Sequence, residues 1–407
     1  MKPLFLVLLL SLLFIAISCS SDNSNEQEPQ VQASSSSENE QPPVSSSIPS
    51  IFSSSSTIVA GSSSSQSSSS IAASSSSLQS SSSVRSSSSV AVSSSSNQSS
   101  SSVAASASSS SGEVAACTPS GTTFNSVVYK SQGNMQMDIK LPSGQGPWPI
   151  IVSSYGSGFG AGTRMVESPF SGGPTRSGQK YATAAISYTA YSAGNPSYPK
   201  AVEDVLAAVR FLKANASTYC LDTNKVVAVG FSSGAYMTAM IAALSGASGH
   251  KFDVGDNLSV SSKVHAAVSY AAISDIPNLD NDKIGLSGEL SHCAGSPEAG
   301  FLGCDPCQSS CLAKAQEASP ITYITSGNCT NLPPIIMTHG TNDNLLSWKQ
   351  SEKMVNKIKE VCPSNTAIFN SVSGQGHQGG IGESNLSGLG VTGGYFGFLD
   401  KALGITN

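Results

Sequence analysis

The chain has 407 residues and a formal net charge of -5, with 20 Lys+Arg against 25 Asp+Glu. It contains no basic run, so the electrostatic footprint of nucleic-acid binding is missing and no nucleic-acid partner is expected. Only part of the chain has the composition of a folded core, and that part is long enough for one large domain.

Met1-Lys2-Pro3 supplies a positive start, and residues 4–17 form an apolar run interrupted only by Ser11. Such a run is too short to span a bilayer comfortably and reads as a secretory signal over residues 1–18. It ends in Ala16-Ile17-Ser18-Cys19, which resembles the lipobox of bacterial lipoproteins. The resemblance implies that Cys19 is acylated and becomes the mature N-terminus, with the membrane as a partner through that lipid. Ser20 after the cysteine resembles lipoproteins sent to the outer membrane, so the expected location is the bacterial cell envelope. Residues 19–112 are serine blocks broken by Val, Ala, Gln and Pro. They cannot bury a core and are expected to form a flexible, extended tether.

Residues 113–407 carry the folded pattern: apolar runs alternate with helical stretches, as in a mainly parallel, doubly wound sheet covered by helices on both faces. The fold class expected is α/β. Val127-Val128-Tyr129 and the period-two run from Met135 to Leu141 predict an initial pair of strands, and Pro149 to Val152 a third. Residues 182–188 follow as a strand. Tyr198-Pro199 then opens a helix with Val202, Val205, Leu206, Val209 and Leu212 on one stripe. Further strands are predicted at 226–229, 264–270, 334–338 and 367–372, with a helix over 348–361. Between Asp275 and Pro320 a Gly-rich, cysteine-bearing insertion fits neither period, and is expected over or beside the active site.

The chemistry concentrates at Gly230-Phe231-Ser232-Ser233-Gly234, which follows the strand Val226 to Val229 and precedes a helix-forming stretch. This Gly-x-Ser-x-Gly pattern is that of a nucleophile elbow: a strand turning sharply into a helix lifts the central serine out, and small flanking residues tolerate the crowding. A serine hydroxyl is a poor nucleophile at neutral pH. It needs an imidazole to take its proton and a carboxylate to hold that imidazole in the right tautomer. Asp343 at the end of the 334–338 strand segment and His377 in Gly374-Gln375-Gly376-His377-Gln378-Gly379-Gly380 supply candidates in the chain order Ser, Asp, His. Asp275 competes with Asp343 but reads better as a cap. His339 and His265 read as structural residues. Charge developing on a carbonyl oxygen needs backbone donors, for which Ser233 and the loop Tyr155-Gly156-Ser157-Gly158-Phe159 are the sources.

With those residues in hand, the folded part resembles the α/β-hydrolase esterases, and within them the bacterial feruloyl and acetyl-xylan esterase-like group. The Tyr155 to Phe159 loop is similar to the group's His-Gly-Gly-Gly-Phe oxyanion loop, with Tyr155 in place of histidine and Ser157 in place of a glycine. Tyr198-Pro199-x-Ala201-x-x-Asp204 with Ala207 to Leu212 resembles the helix before the elbow, and Ala318-Ser319-Pro320-Ile321 with His339 to Asp343 the acid segment. The resemblance implies that Ser157 or Gly158 donates alongside Ser233. It also implies a serine ester hydrolase without metal or organic cofactor, acting on an ester-bearing polysaccharide such as acetylated or feruloylated plant cell wall. Two rivals stand beside it: hydrolysis of other esters or polymers, such as polyhydroxyalkanoates, and a non-catalytic surface protein that binds polysaccharide.

Nine cysteines are present, and eight remain when Cys19 is set aside. An even number in an exported chain points to disulfides, with the pairing open. A metal site from Cys304, Cys307 and Cys311 with His292 nearby is the weaker reading for such a chain, and no metal is expected.

Overall fold

The computed structural model describes residues 116–378 and 386–406. The expected signal, Cys19, the tether, and Gly379 and Gly380 of the histidine loop lie outside the described residues. Eight strands build one sheet: β1 (Thr123–Lys130), β2 (Met135–Lys140), β3 (Trp148–Ser154), β4 (Ala182–Ile186), β5 (Leu221–Phe231), β6 (Ala266–Tyr270), β7 (Ile335–Gly340) and β8 (Ala367–Val372). Their order is β1-β2-β4-β3-β5-β6-β7-β8. The pairs β1–β2 and β2–β4 are antiparallel, and every pair from β4 across to β8 is parallel. Helical segments are α1 (Gly173–Arg176), α2 (Lys200–Ala214), α3 (Ala216–Tyr219), α4 (Ser233–Ala243), α5 (Pro297–Leu302), α6 (Leu312–Glu317), α7 (Lys349–Val361) and α8 (Gly394–Ala402). Among the described residues no helix is long and apolar enough to cross a membrane.

The parallel strands read as continuous apolar runs because both of their faces are covered. Alternate residues go to opposite sides. Ile150, Val152, Val226 and Ala228 pack with α2 and α4, and Ala267, Ile335 and Met337 continue that face under α4 and α7. Ile151, Val227, Val229, Val268 and Ile336 pack on the other face against Phe170, Tyr181 and the α8 side chains Tyr395, Phe398 and Leu399. In β2, by contrast, Met137 and Ile139 are buried while Gln136 and Asp138 are only partly so, which is the period-two pattern seen in the sequence.

Helix α2 buries the predicted stripe Val202, Val205, Leu206, Val209 and Leu212, and also buries Asp204 and Arg210. Both polar side chains are paired. Lys130 Nζ lies 2.6 Å from Asp204 Oδ1, and Thr189 donates to Asp204 Oδ2 from both its N–H and its hydroxyl. Arg210 donates to the Val254 carbonyl at 2.7 Å and faces Asp253 at 3.3 Å. The helix that resembles the esterase motif is therefore fastened to β1 and to the 253–256 loop.

Helix α8 is absent from the sequence reading. Gly393, Gly394 and Gly397 lower the helical propensity there. Packing reverses the preference: a Cβ on Gly397 would lie 1.9 Å from the Thr392 carbonyl oxygen, so a bare backbone is what the close turn admits.

Candidate active site

The parallel strands deliver their loops to one end of the sheet, the end where ligands bind in open α/β folds. β5 delivers Ser232, β3 the 155–160 loop, β7 Asp343 and β8 His377. At the elbow, Ser232 has φ 54° and ψ -121°, outside the regions an L-residue prefers, and its N–H is held by the Tyr270 carbonyl at 2.9 Å. The flanking glycines answer to contact distance. A Cβ on Gly230 would lie 2.1 Å from the Gly234 carbonyl oxygen, and one on Gly234 would lie 2.0 Å from that of Ser154.

His377 joins the other two residues. Its Nε2 lies 3.0 Å from Ser232 Oγ and its Nδ1 2.7 Å from Asp343 Oδ2. An imidazole so placed can accept the serine proton while the carboxylate fixes its tautomer. The loop bearing it is clamped to the end of β7: Asn342 N–H donates to the Gln375 carbonyl, and Gly374 N–H to the Thr341 hydroxyl. The imidazole also packs against Phe231, with ring centres 4.9 Å apart.

Asp343 is fully buried, and its Oδ1 accepts from the N–H groups of Leu345 and Leu346, both at 2.9 Å. Its Oδ2 meets a second imidazole, His339 Nε2, at 3.1 Å. Burial by itself would raise the pKa of Asp343, but the hydrogen bonds from His339 and His377 and their charges hold it well below the ordinary carboxylate range. The buried His339, read from sequence as structural, is thus a direct neighbour of the carboxylate, anchored from behind by Ser351 at 2.8 Å. Its sequence signals are the short spacing to Asp343 and its place at the start of the His339 to Asp343 stretch that resembles the esterase acid segment. Asp275, the competing acid, pairs instead with Lys353 at 3.1 Å. His265 accepts from the Val226 N–H, and burial lowers its pKa to about 4. Neither lies in the cavity.

The expectation for Ser157 is corrected. Its N–H donates to Ser233 Oγ at 2.8 Å and is not free for an oxyanion. Tyr188 Oη donates to the Tyr155 carbonyl and lies 3.1 Å from Ser233 Oγ, so the Ser233 hydroxyl proton points to Tyr188. The resulting chain runs from Ser157 N–H through Ser233 and Tyr188 to the Tyr155 carbonyl and locks the loop onto the start of α4. Gly156 N–H is likewise taken, by Glu167 at 3.2 Å. Among the described residues no protein acceptor is found for the N–H groups of Gly158 and Ser233. The Ser233 group lies at the positive end of α4. Tyr155, which stands in place of the esterase histidine, is buried and stacked on Tyr188 with centroids 4.6 Å apart.

These groups open into a cavity of about 250 Å³ lined by Gly156 to Phe159, Phe231 to Ser233, His377, Ile273, Leu345 and Leu346. Its outer wall comes from the 275–320 insertion, through Leu290, Ser291, His292, Pro297 and Glu298. The insertion therefore lies beside the site, as its position in the chain predicted. Its cysteines are bridged, Cys293 to Cys307 and Cys304 to Cys311, and a third bridge joins Cys329 to Cys362. That pairing replaces the metal reading of Cys304, Cys307 and Cys311. His292 is turned instead toward Glu298. Cys117 and Cys220 lie outside these three bridges.

A family model described as BD-FAE matches residues 137–358, more than half of the chain. Among solved structures, a truncated form of a carbohydrate esterase from gut microbiota is 24% identical with a TM-score of 0.56, over 70% of this chain and 97% of that one. A bifunctional GH43-CE protein of Bacteroides eggerthii is 25% identical, also with a TM-score of 0.56, over 69% of this chain and 35% of that one. None of the curated proteins compared with the chain matches it. The family match spans β2 to α7, including the elbow and the strand that delivers Asp343, and so the chain belongs to the BD-FAE family and is a carboxylic ester hydrolase.

Proposed function

We propose that the protein deacylates plant cell-wall polysaccharide, releasing acetyl or feruloyl groups through an acyl-enzyme on Ser232. The observation that carries the catalytic part is the continuous contact from Ser232 Oγ to His377 to Asp343 at 3.0 Å and 2.7 Å. The substrate part is supported by the neighbours described as a carbohydrate esterase and a GH43-CE protein. The resemblance of the loop and helix motifs to feruloyl and acetyl-xylan esterases points the same way.

In this reading Ser232 Oγ attacks the ester carbonyl while His377 Nε2 takes its proton. Asp343 holds the Nδ1 proton and stabilises the imidazolium. The negative charge on the carbonyl oxygen falls to the N–H groups of Ser233 and Gly158, which are fixed before substrate arrives. The tetrahedral intermediate collapses, His377 protonates the departing sugar oxygen, and a water then repeats the sequence to free the acid. Proton transfer and charge stabilisation both come from the protein, so the cycle requires no metal or organic cofactor.

The same proposal includes export, acylation at Cys19, and residues 19–112 as a tether holding the 113–407 domain off an envelope membrane. Labelling with a fatty-acid analogue in a bacterial host is expected for the full chain and not for Cys19→Ser. Label on both, or on neither, removes the anchor.

The deciding experiment measures acetate and ferulate release from xylan-derived esters by the full chain and by Ser232→Ala. Release of either acid, lost in the variant, is expected. Cleavage of a short-chain aryl ester without release of either acid would retain the esterase and remove the plant-polymer substrate.

A further inference from the structure

The cavity wall supplied by residues 290–298 holds two polar side chains that acyl transfer leaves without a task. His292 and Glu298 are 5% and 3% exposed, and both line the cavity. His292 Nδ1 lies 3.1 Å from Glu298 Oε2, yet the two are not aligned for a hydrogen bond, and neither atom has another partner among the described residues. Around them the wall is largely apolar, with Ile273, Leu290, Leu345 and Leu346. Burying such groups unsatisfied costs free energy, and a native structure that keeps them calls for a reason.

The backbone beneath the pair is firmly held. His292 N–H donates to Asp280 Oδ1 at 3.1 Å, and the His292 carbonyl accepts from the Ser296 hydroxyl at 2.9 Å. That hydroxyl also caps α5, and the adjacent Cys293 is bridged to Cys307. The two side chains are thus placed by a rigid frame before any ligand arrives.

We propose that His292 and Glu298 recognise a hydroxyl group of the substrate close to the ester being cut, an inference that rests on the esterase reading of Ser232. A hydroxyl donates one hydrogen and accepts in return, so it can give its hydrogen to the carboxylate and take the imidazole N–H. Glu298 at the same place opposes a substrate carboxylate. The hydroxyl belongs either to the sugar that carries the acyl group or to the ring of an aromatic acyl group, and the chemistry presented to the pair is the same.

The test compares kcat/KM within matched substrate pairs for the wild-type chain, Glu298→Gln and His292→Gln. One pair is monoacetylated xylose and cyclohexyl acetate; the other is methyl ferulate and methyl 3,4-dimethoxycinnamate. The wild type is expected to favour the hydroxylated member of one pair, and both variants to lower that preference by about 10- to 100-fold. The pair that responds names the source of the hydroxyl. Each ratio is taken on a single preparation, so a variant that folds less completely leaves it unaltered. Ratios unchanged in both variants, even with slower rates, are what a purely structural contact gives and would overturn the proposal. If the wild type cuts none of the four esters and a fluorophosphonate leaves Ser232 unlabelled, the esterase reading fails and takes this inference with it.

A separate observation concerns the two cysteines outside those bridges. Cys117 exchanges backbone hydrogen bonds with Gly146, and the Cys220 carbonyl accepts from Trp148 N–H at 2.8 Å, so both cysteines are fixed to one short stretch. A Cβ on Gly146 would lie 2.9 Å from the Cβ of Cys220, which sets Cys220 directly against the residue that Cys117 pairs with, and burial together with the neighbouring Cys117 thiol raises the Cys220 pKa to about 11. We infer that Cys117 and Cys220 form a fourth disulfide, fastening the start of the folded domain to β5. A disulfide-bearing thiol oxidase is the oxidant: its S–S bond is reduced to two thiols as the cysteines lose two hydrogens and two electrons and the new Sγ–Sγ bond forms. Unreduced peptide mapping of the full chain from an oxidising compartment is expected to give a 117–220 linked peptide, absent in Cys117→Ser. Quantitative alkylation of both residues in that material would overturn it.

Discussion

Asp343 is held by four donors or charges at once, and that makes its behaviour predictable. Its carboxyl titrates lower in the folded chain than in the unfolded one, so it contributes stability above the ordinary carboxylate range and loses it as pH falls through the lowered value. The gap in unfolding temperature between wild type and Asp343→Asn is therefore expected to be constant from neutral pH down to about 5 and to close below about 4. A thermal scan across pH checks this, and a gap that widens in acid would contradict it. In turnover, the same variant is expected to lose about 10,000-fold in kcat, because a carboxamide neither holds the tautomer nor stabilises the imidazolium. Ser233→Ala tests a different feature. Removing the hydroxyl that accepts from Ser157 frees the 155–160 loop, and, if that loop lends the proposed oxyanion donor, a fall in kcat of about 10- to 100-fold with little change in KM is expected from steady-state kinetics. The nucleophile, base and acid candidates were legible because each sits in a local pattern. The Ser157 hydrogen bond was not, since it depends on how closely the β3 loop approaches α4.

At the scale of elements, the elbow turns on backbone approach. Gly234 lies where any side chain would enter the Ser154 carbonyl, so Gly234→Ala is expected to destabilise the fold by about 3 kcal/mol or more, measured by denaturant unfolding. The bridge from Cys329 to Cys362 closes a segment with a sequence separation of 33 and ties the turn before β7 to the end of α7. Replacing both cysteines by serine is expected to cost about 3–4 kcal/mol, on the loop-closure account of disulfide stability. The strands were readable as apolar runs and α2 as an amphipathic stripe. Helix α8 was not, because its glycines argue against a helix locally while Tyr395 and Leu399, wholly buried against the sheet, decide for one.

Over the whole molecule, the parallel sheet gathers residues that are far apart in sequence. Ser232, Asp343 and His377 leave three different strands at the same end, and the disulfide-bridged insertion closes the cavity from the side. If residues 19–112 act only as a tether, deleting residues 24–112 from the full chain leaves kcat/KM on soluble esters within about twofold, since such a segment adds reach without contacts. A larger loss would assign it a role in the site. The sequence by itself determined the α/β class, the elbow and the order Ser, Asp, His, because spacing of glycines, apolar period and strand-end position are short-range properties of the chain. Only the tertiary structure decided that His339 shares Asp343 with His377, that Ser157 is bound to Ser233, which cysteines pair, and that His292 faces Glu298 across the cavity wall. Those contacts are fixed by where packed elements meet, and differences of an ångström between segments remote in sequence are set by the core that joins them.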